Sequence, residues 1–276
     1  MIDAAELRDA YDRQLRSGLD GPDTVRDQDG PLIRHTGESS GFVNAPRDLG
    51  LRGAELDELI HRQLRHFAPR SRRLEWKVRG HDLPAELPER LRAAGFTAQP
   101  TTTVLAGRSE LLAPPPGREP ALPAGVTVRR LTDPAEADRI AALEAAVWGE
   151  YHQSLADFLH GQLTDHPEGI AVLAAESGGQ LISTGWLVLR PGSDFGALLG
   201  GATLAEWRGR GVYQALVAQR ARIAHACGHR YLQVDASEHS APILRRLGLI
   251  PITTSTRYIW TPPPLPRTGE DGPTGA

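Results

Sequence analysis

The sequence predicts an α/β protein with a mixed sheet, arranged as two units joined by a proline-rich linker. Segments with the spacing of strands alternate with segments with the spacing of helices along 276 residues, a length at which two domains are expected. Five prolines, three of them consecutive, fall within residues 108–125 and indicate a linker. A strand, a helix, a glycine and an apolar residue follow one another in the same order on each side of that linker.

The part before the linker contains both helical and strand patterns. We expect an amphipathic helix at residues 3–17, because Ala4, Leu7 and Tyr11 share a face. Residues 20–29 are rich in turn-forming side chains, and Gly95 ends the last helix of this part. The other expected elements are helices at 54–67 and 85–94 and strands at 32–35, 41–45, 74–78 and 101–105.

After the linker the helix signals are sharper. Asp133 is placed to cap a helix that runs to residue 148, and Pro134 fits its first turn. We expect a further helix at 154–163 and a hairpin of two strands around the glycines at 178 and 179. The remaining elements are strands at 126–131, 170–175, 181–189, 198–204 and 231–235, helices at 211–227 and 241–247, and a final β-rich run.

These elements divide the chain into domains at residues 1–107 and 125–261, with the linker at 108–124. The tail at 262–276 is rich in proline and glycine, and we expect it to be disordered. Residues 74–96 repeat the order of residues 231–249, and a longer helix precedes each copy. We interpret this as a duplicated unit whose first copy is shortened. A chance likeness between two βαβ fragments is the alternative.

Composition excludes several classes of function. The formal net charge of −3, with both signs mixed, gives no basis for nucleic-acid binding. The longest apolar runs are too short to cross a bilayer, and residues 1–16 carry no signal-peptide pattern, so we expect no membrane partner. Cys227 is the single cysteine, which excludes an intramolecular disulfide and favours a reducing cytoplasm. A homodimer is compatible with the sequence.

The histidines do not suggest a metal site. His225 and His229 lie four residues apart, but Gly228 between them is expected to end the helix, so they would not share a face. We therefore expect no metal.

The most informative segment follows the strand at 198–204. Its turn contains Arg208, Gly209, Arg210 and Gly211, and a helix begins directly afterwards. Glycines let the backbone come close to a ligand, and a helix start presents free N–H groups and a positive dipole. Such a turn suits a phosphate or pyrophosphate. Arg210 has two open interpretations, a phosphate contact or a solvated side chain.

The order of these elements, with this loop, resembles the Gcn5-related N-acetyltransferase (GNAT) superfamily over roughly residues 126–260. In that family the pattern Arg/Gln-x-x-Gly-x-Gly/Ala binds the pyrophosphate of acetyl-coenzyme A. Arg208 and Gly211 match it, whereas Tyr213 stands where the family has a small residue. Residues 237–249 resemble a second family segment, in which Ser237 replaces an asparagine and Leu244 replaces a tyrosine that can protonate the leaving thiolate.

The resemblance implies a GNAT-like fold, with a complete C-terminal domain and a truncated N-terminal unit. The loop at 49–53 lacks the pyrophosphate pattern, so we expect the first unit to be degenerate. Acetyl-CoA is the implied co-substrate. The resemblance places its pantetheine arm on residues 203–205 and its pyrophosphate on residues 208–213. The implied cofactor-binding residues are Thr203, Leu204, Ala205, Arg208, Gly209, Arg210, Gly211, Val212, Tyr213 and Ser237.

The implied reaction is direct acetyl transfer to an amine, which we expect to belong to a small molecule. A protein or peptide amine is an alternative. A catalytically silent acyl-CoA-binding module is another, favoured by the missing tyrosine at Leu244.

An attacking amine must be neutral, so the reaction needs a base. Asp235, at the end of its strand, is the main candidate, although it could instead cap the turn that follows. Glu206 and Tyr258 are weaker candidates, and Glu206 fits a surface residue better. Tyr213 could donate a proton to the leaving thiolate or could pack over the cofactor. We expect Cys227 to be a buried space-filling residue rather than a nucleophile.

The acceptor site is the least patterned part. Glu150, Tyr151 and His152 occupy positions where relatives often bind the acceptor, but a solvated loop between two helices is the simpler explanation. Trp148 and Trp186 are expected in the core or in a pocket wall.

Overall fold

The computed structural model describes residues 3–16, 25–37, 40–70, 72–115, 117–149 and 153–262. The α-helices are α1 (Ala4–Leu15), α2 (Gly53–Phe67), α3 (Leu87–Ala93), α4 (Ser109–Leu112), α5 (Ala137–Trp148), α6 (Gln153–Asp165), α7 (Val212–Ala226) and α8 (Ala241–Arg246). The strands are β1 (Val25–Asp29), β2 (Leu32–Thr36), β3 (Ser40–Asn44), β4 (Arg73–Arg79), β5 (Thr97–Ala98), β6 (Thr102–Arg108), β7 (Val126–Leu131), β8 (Ile170–Ser177), β9 (Gln180–Leu189), β10 (Phe195–Thr203), β11 (Tyr231–Ala236) and β12 (Ile250–Trp260).

The predicted α/β class is confirmed, and the helices and strands expected from the sequence are present with ends that differ by a few residues. Sequence reasoning missed the very short elements α4 and β5, and it also missed strand β1. Its residues, Val25–Asp29, are mostly charged or polar and largely exposed, so they carry no apolar alternation that would distinguish a strand from a turn. No helix in the described ranges combines the length and the apolar character needed to cross a membrane.

The chain forms two compact units, and the division between them does not coincide with the predicted linker. The first unit combines Met1–Gln14 with Thr103–Ile252, and the second combines Leu15–Thr102 with Thr253–Ala276. The linker would instead divide the chain at residues 108–124. Backbone pairing explains the difference, because β6, which precedes the linker, pairs along β11, and the end of β12 pairs along β4. Each half thus contributes its last strand to the other unit.

The first unit has the strand order β6-β11-β10-β9-β8-β7. Alternate residues of β8 belong to different apolar clusters: Val172 packs with α5 and α6, whereas Ala171 packs with α7 and α8. Since successive residues of a strand face opposite sides, these helix pairs cover opposite faces of the sheet. Asp133 caps the turn before α5, accepting from the N–H of Ala135 at 2.9 Å, as predicted.

Strands β10 and β11 are parallel but pair over a short stretch. The register runs from Phe195↔Tyr231 to Ala197↔Gln233, after which β10 continues beside β9 and β11 continues beside β6. Strand β10 also has a bulge against β9, between Leu199 and Ala202. The sheet therefore opens between its two central strands, next to the bulge.

The linker residues pack onto this unit rather than spanning a gap. Arg222 of α7 donates from Nη2 to the carbonyl of Pro114 at 3.2 Å and pairs with Glu119 at 2.6 Å. The carbonyl of Ala121 lies 3.1 Å from where a Cβ on Gly211 would be. The end of the linker thus runs beside the start of α7.

The second unit has the strand order β1-β2-β3-β4-β12, with β5 also paired to β12. Helix α2 connects the parallel strands β3 and β4. The core of the second unit consists of buried aromatic and aliphatic residues that include Leu56, Phe67 and Trp76.

The short helices of the two similar segments, α3 and α8, end in the same way. Helix α3 ends with Gly95 at φ +92° and a hydrogen bond from the Phe96 N–H to the Leu91 carbonyl at 3.0 Å. Helix α8 ends in the same way, with Gly248 at φ +107° and a bond from the Leu249 N–H to the Leu244 carbonyl at 3.1 Å. Both glycines take the left-handed conformation that ends helices with this hydrogen-bond pattern. The two segments therefore share their helix ending as well as their order of elements.

Candidate active site

The glycine-rich turn leads from β10 into α7. After a short 3₁₀ turn at Ala205–Trp207, Gly209 and Gly211 take left-handed conformations at φ +72° and +81°, which residues with a side chain adopt rarely. Gly211 is the N-cap of α7 and supplies no side-chain cap. The first turn of α7 contains no acidic residue. Its backbone N–H groups thus form a positive helix start suited to an anion.

The equivalent position in the second unit is different. At the start of α2, the carboxylate of Glu86 accepts from the N–H of Gly53 at 2.9 Å. This backbone hydrogen bond lowers the pKa of Glu86. A negative side chain therefore already occupies the helix start where a pyrophosphate would bind, which agrees with a degenerate first unit.

Both arginines of the turn are exposed. Arg208 donates from Nε to the carbonyl of Thr203 at 3.0 Å, which ties the turn to the end of β10. Arg210 lies over the ring of Trp207, with its guanidinium carbon 5.2 Å from the ring centroid. These two contacts tie both cations of the turn to neighbouring residues of the same segment.

The end of β10 is already partly bonded. The N–H of Leu204 donates to the Ile182 carbonyl at 3.0 Å, and the Leu204 carbonyl accepts from the Trp207 N–H at 2.9 Å. The Ala205 carbonyl accepts from the Arg208 N–H at 3.2 Å. The backbone pairing implied for Thr203, Leu204 and Ala205 would therefore compete with existing bonds at Leu204. The edge of β10 that is no longer paired with β11 begins after Ala197, which is earlier in the strand than residues 203–205.

Asp235 lies where the two central strands separate. It is two residues beyond Gln233, the last residue of β11 that pairs with β10. The side-chain amide of Gln233 donates to Asp235 Oδ1 at 2.7 Å. Because Leu232 and Ala236 pack into the cluster on the α7 and α8 side, the alternation of the strand places Asp235 on the opposite face.

Ser237 follows and begins the turn into α8. Its hydroxyl accepts from the N–H of Ser240 at 3.3 Å, and its carbonyl accepts from the N–H of Ala241 at 2.9 Å. The hydroxyl therefore has a structural role besides the cofactor contact that the resemblance implies.

Tyr213, at the second position of α7, is half-buried against the bulge. A Cβ on Gly201 would lie 2.8 Å from Cε2 of its ring, so the glycine makes room for the tyrosine. Burial raises the pKa of the Tyr213 hydroxyl, and the neighbouring Arg220 opposes this shift. Leu244, where the family resemblance expects a tyrosine, is fully buried.

The comparisons with known proteins match this arrangement. Residues 136–249 match the sequence model described as the Acetyltransferase (GNAT) family. Residues 136–249 form a GNAT domain. Among curated protein sequences, none matches the chain.

Solved structures with this fold extend over most of the chain. A GCN5-related N-acetyltransferase from Kribbella flavida is 19% identical, with a TM-score of 0.67, covering 94% of this chain and 95% of its own. A functionally unknown conserved protein from Staphylococcus epidermidis is 11% identical, with a TM-score of 0.63 over 87% and 95%. A tandem GNAT protein from the clavulanic acid biosynthesis pathway is 17% identical, with a TM-score of 0.58 over 88% and 85%. The predicted tandem GNAT fold is confirmed.

Two charged residues of the GNAT domain were missed by sequence reasoning. Arg220 of α7 is fully buried, and Glu144 of α5 is half-buried with Oε1 lacking a hydrogen-bond partner among the described residues. Burial raises the pKa of Glu144, and its interaction with Trp148 opposes that shift. Glu144 follows the buried residues Ala137 and Ile140 by seven and four positions. A helical projection could therefore have placed it on the buried stripe.

The other candidates belong to the core of the second unit or lie at the surface. Tyr258 is buried in the core of the second unit, where the Arg92 guanidinium lies 5.4 Å from its ring centroid. Glu206 is exposed, as expected. The prediction that Cys227 is buried is wrong, because this residue lies at the exposed C-terminal cap of α7, beyond the last buried turn.

The two tryptophans singled out in the sequence differ in exposure. Trp186 is buried, as expected, whereas Trp148 is 56% exposed at the end of α5. The acceptor candidates Glu150, Tyr151 and His152 lie outside the described residues.

Proposed function

We propose that this chain is an acetyl-CoA-dependent N-acetyltransferase that transfers the acetyl group directly to the amine of a small molecule. The observation that carries the proposal is the uncapped start of α7, which opens beside the separation of β10 from β11. An anion site and an open strand edge at one place fit a phosphate-bearing ligand with an extended arm.

The residues present fit coenzyme A. The N–H groups of Val212 and Tyr213, with Arg208 and Arg210, would hold the pyrophosphate, and the β10 edge would receive the pantetheine arm. Acetyl-CoA, when bound, supplies the acetyl group as an activated thioester.

Asp235 would take the proton of the amine, directly or through a water molecule. A bond forms between the amine nitrogen and the acetyl carbon, and the carbon–sulfur bond breaks. Coenzyme A then leaves as a thiolate, and a thiol of ordinary acidity, with a pKa of about 8.5, can leave near neutral pH without a dedicated acid.

A silent acyl-CoA-binding module is the second candidate, because Leu244 is buried and offers no hydroxyl to the leaving group. A protein or peptide acceptor is a third. Release of free CoA from acetyl-CoA with a panel of amines and peptides separates the three, since a silent module binds CoA without turnover. Mass spectrometry of metabolites acetylated by the purified protein would then identify the acceptor class.

Substitutions of Tyr213 test how the leaving group departs. Because its ring packs against Gly201 and burial raises the pKa of its hydroxyl, we expect it to act through packing rather than as a proton donor. Tyr213→Phe should then keep kcat within about twofold, whereas Tyr213→Ala should raise KM for acetyl-CoA by about tenfold. Steady-state kinetics across a pH range provide the measurement. A fall in kcat of about 10²-fold in the Phe variant, with KM unchanged, would establish the donor role instead.

A further inference from the structure

Arg220 is a buried cation in the middle of α7, with 1% of its surface exposed. Burial lowers the pKa of its guanidinium, and among the described residues no carboxylate pairs with it; the interacting titratable group is the Tyr213 hydroxyl. A buried charge of this kind is costly unless hydrogen bonds satisfy it. Its partners therefore indicate what it does.

Two of its three carbonyl partners lie beside the β10 bulge. Nη1 donates to the Leu199 carbonyl at 3.2 Å and to the Trp186 carbonyl at 3.3 Å, while Nε donates to Leu216 within its own helix at 3.1 Å. Leu199 and Trp186 are the last register pair of β10 and β9 before the bulge. The guanidinium thus joins the two strands where their register shifts.

Three glycines make room for the side chains around this point. A Cβ on Gly185 would lie 2.6 Å from Nη1 of Arg220, and one on Gly201 would lie 2.8 Å from the Tyr213 ring. Gly200, at φ +58°, is covered by the ring of Trp186. Because glycine weakens a strand, three at one place indicate that this packing is built around the bulge.

The bulge has a chemical consequence. A bulge leaves backbone groups outside the strand ladder, and here they lie on the stretch of β10 that has separated from β11. Backbone N–H groups held in fixed positions can stabilise the negative charge that develops on a carbonyl oxygen during acyl transfer.

We propose that Arg220 is a positioning residue for acyl transfer, which holds the β10 bulge in the shape that presents its backbone to the thioester. The proposal rests on acetyl-CoA being the co-substrate, as proposed above. Arg220 lies eight residues into α7 from the pyrophosphate turn, or about 12 Å along the helix. It should therefore affect the chemical step more than cofactor binding.

Two variants remove the contact in different ways. Arg220→Met deletes the guanidinium, whereas Gly185→Ala keeps it but fills the space that it occupies. Each should lower kcat by roughly 10- to 100-fold, with KM for acetyl-CoA and Kd for CoA changed by less than about threefold. In the double variant, the loss should be no larger than in Arg220→Met alone, because the added methyl group then has room. Arg220→Lys, which keeps a donor, should lose less than Arg220→Met.

A second measurement does not depend on activity. Amide hydrogen exchange of the ligand-free protein should be faster at residues 199–202 in Arg220→Met and Gly185→Ala, with exchange along β11 unchanged. A general loss of stability would instead accelerate exchange in both strands. In the infrared spectrum, the carbonyl of bound ¹³C-labelled acetyl-CoA should shift toward the free value in both variants.

Wild-type kcat in Arg220→Met, or losses from Arg220→Met and Gly185→Ala that add in the double variant, would overturn the proposal. Equal exchange at the bulge in the wild type and in Arg220→Met would also overturn it. If the wild-type protein neither binds CoA nor releases it from acetyl-CoA, the proposed function fails, and the exchange experiment still decides whether Arg220 holds the bulge.

Discussion

Asp235→Asn should lower kcat by roughly 10²- to 10⁴-fold, while KM for acetyl-CoA stays within about threefold. Asparagine has nearly the same shape and keeps an oxygen that can accept from Gln233, so the strand should remain intact. What it loses is the ability to take a proton from the acceptor amine. The residual rate should rise about tenfold per pH unit up to the pKa of the acceptor's ammonium group, because above that pH the amine is already neutral in solution.

The matched control for this variant is Glu238→Gln. Glu238 lies three residues further along the same segment, its side chain is 87% exposed, and the same loss of charge there should leave kcat unchanged. Wild-type kcat and an unchanged pH profile in Asp235→Asn would remove Asp235 from the mechanism. A base elsewhere in the acceptor site would then be required.

A negative charge at the start of α7 should abolish much of the CoA affinity. Gln214 is the third residue of α7, and a glutamate there would bring a carboxylate to the N–H groups that should hold the pyrophosphate. We expect Gln214→Glu to raise Kd for CoA by at least about tenfold, or about 1.4 kcal/mol. The same change should leave the stability equal or higher, by about 0.3–1 kcal/mol, because acidic residues favour helix starts.

This design separates binding from folding. Gly211→Glu would mix the two effects, since Gly211 has φ +81° and a Cβ there would lie 3.1 Å from the Ala121 carbonyl. Gln219→Glu, an exposed position in the middle of the same helix, is the control for added charge and should bind CoA like the wild type. Unchanged calorimetric affinity in Gln214→Glu, with the melting temperature retained, would contradict the assignment of the pyrophosphate turn.

Local signals explain why the sequence located the pyrophosphate turn. Gly209 and Gly211 predict left-handed backbone, and the periodic apolar residues after them predict a helix, so both features follow from neighbouring residues. The ends of α3 and α8 were predictable for the same reason.

The exchange of β6 and β12 between units was not predictable in this way. Both segments have the sequence pattern of a strand, but such a pattern does not specify which strand is the partner. The prolines after β6 suggested a domain boundary, whereas β6 pairs with β11 from the other side of the linker and β12 pairs with β4. Pairing over long sequence separation is decided by the assembled sheet, which the residues near β6 do not encode.

The buried charges were missed because apolar periodicity assigns charged residues to the surface. Arg220 belongs to the buried stripe of α7, four residues after Leu216 and four before Ala224. Glycines in strand positions, Gly185 above all, were the available signal that a large side chain approaches the backbone.

The central claim is one coenzyme A site per chain, at the start of α7. Calorimetric titration of the full chain with CoA tests it most directly, because the helix start of the second unit is already occupied by Glu86. We predict one CoA bound per chain, with binding weakened at least about tenfold in Gln214→Glu and unchanged in Gln219→Glu. Two equivalent sites, or no binding to the wild-type chain, would contradict the account.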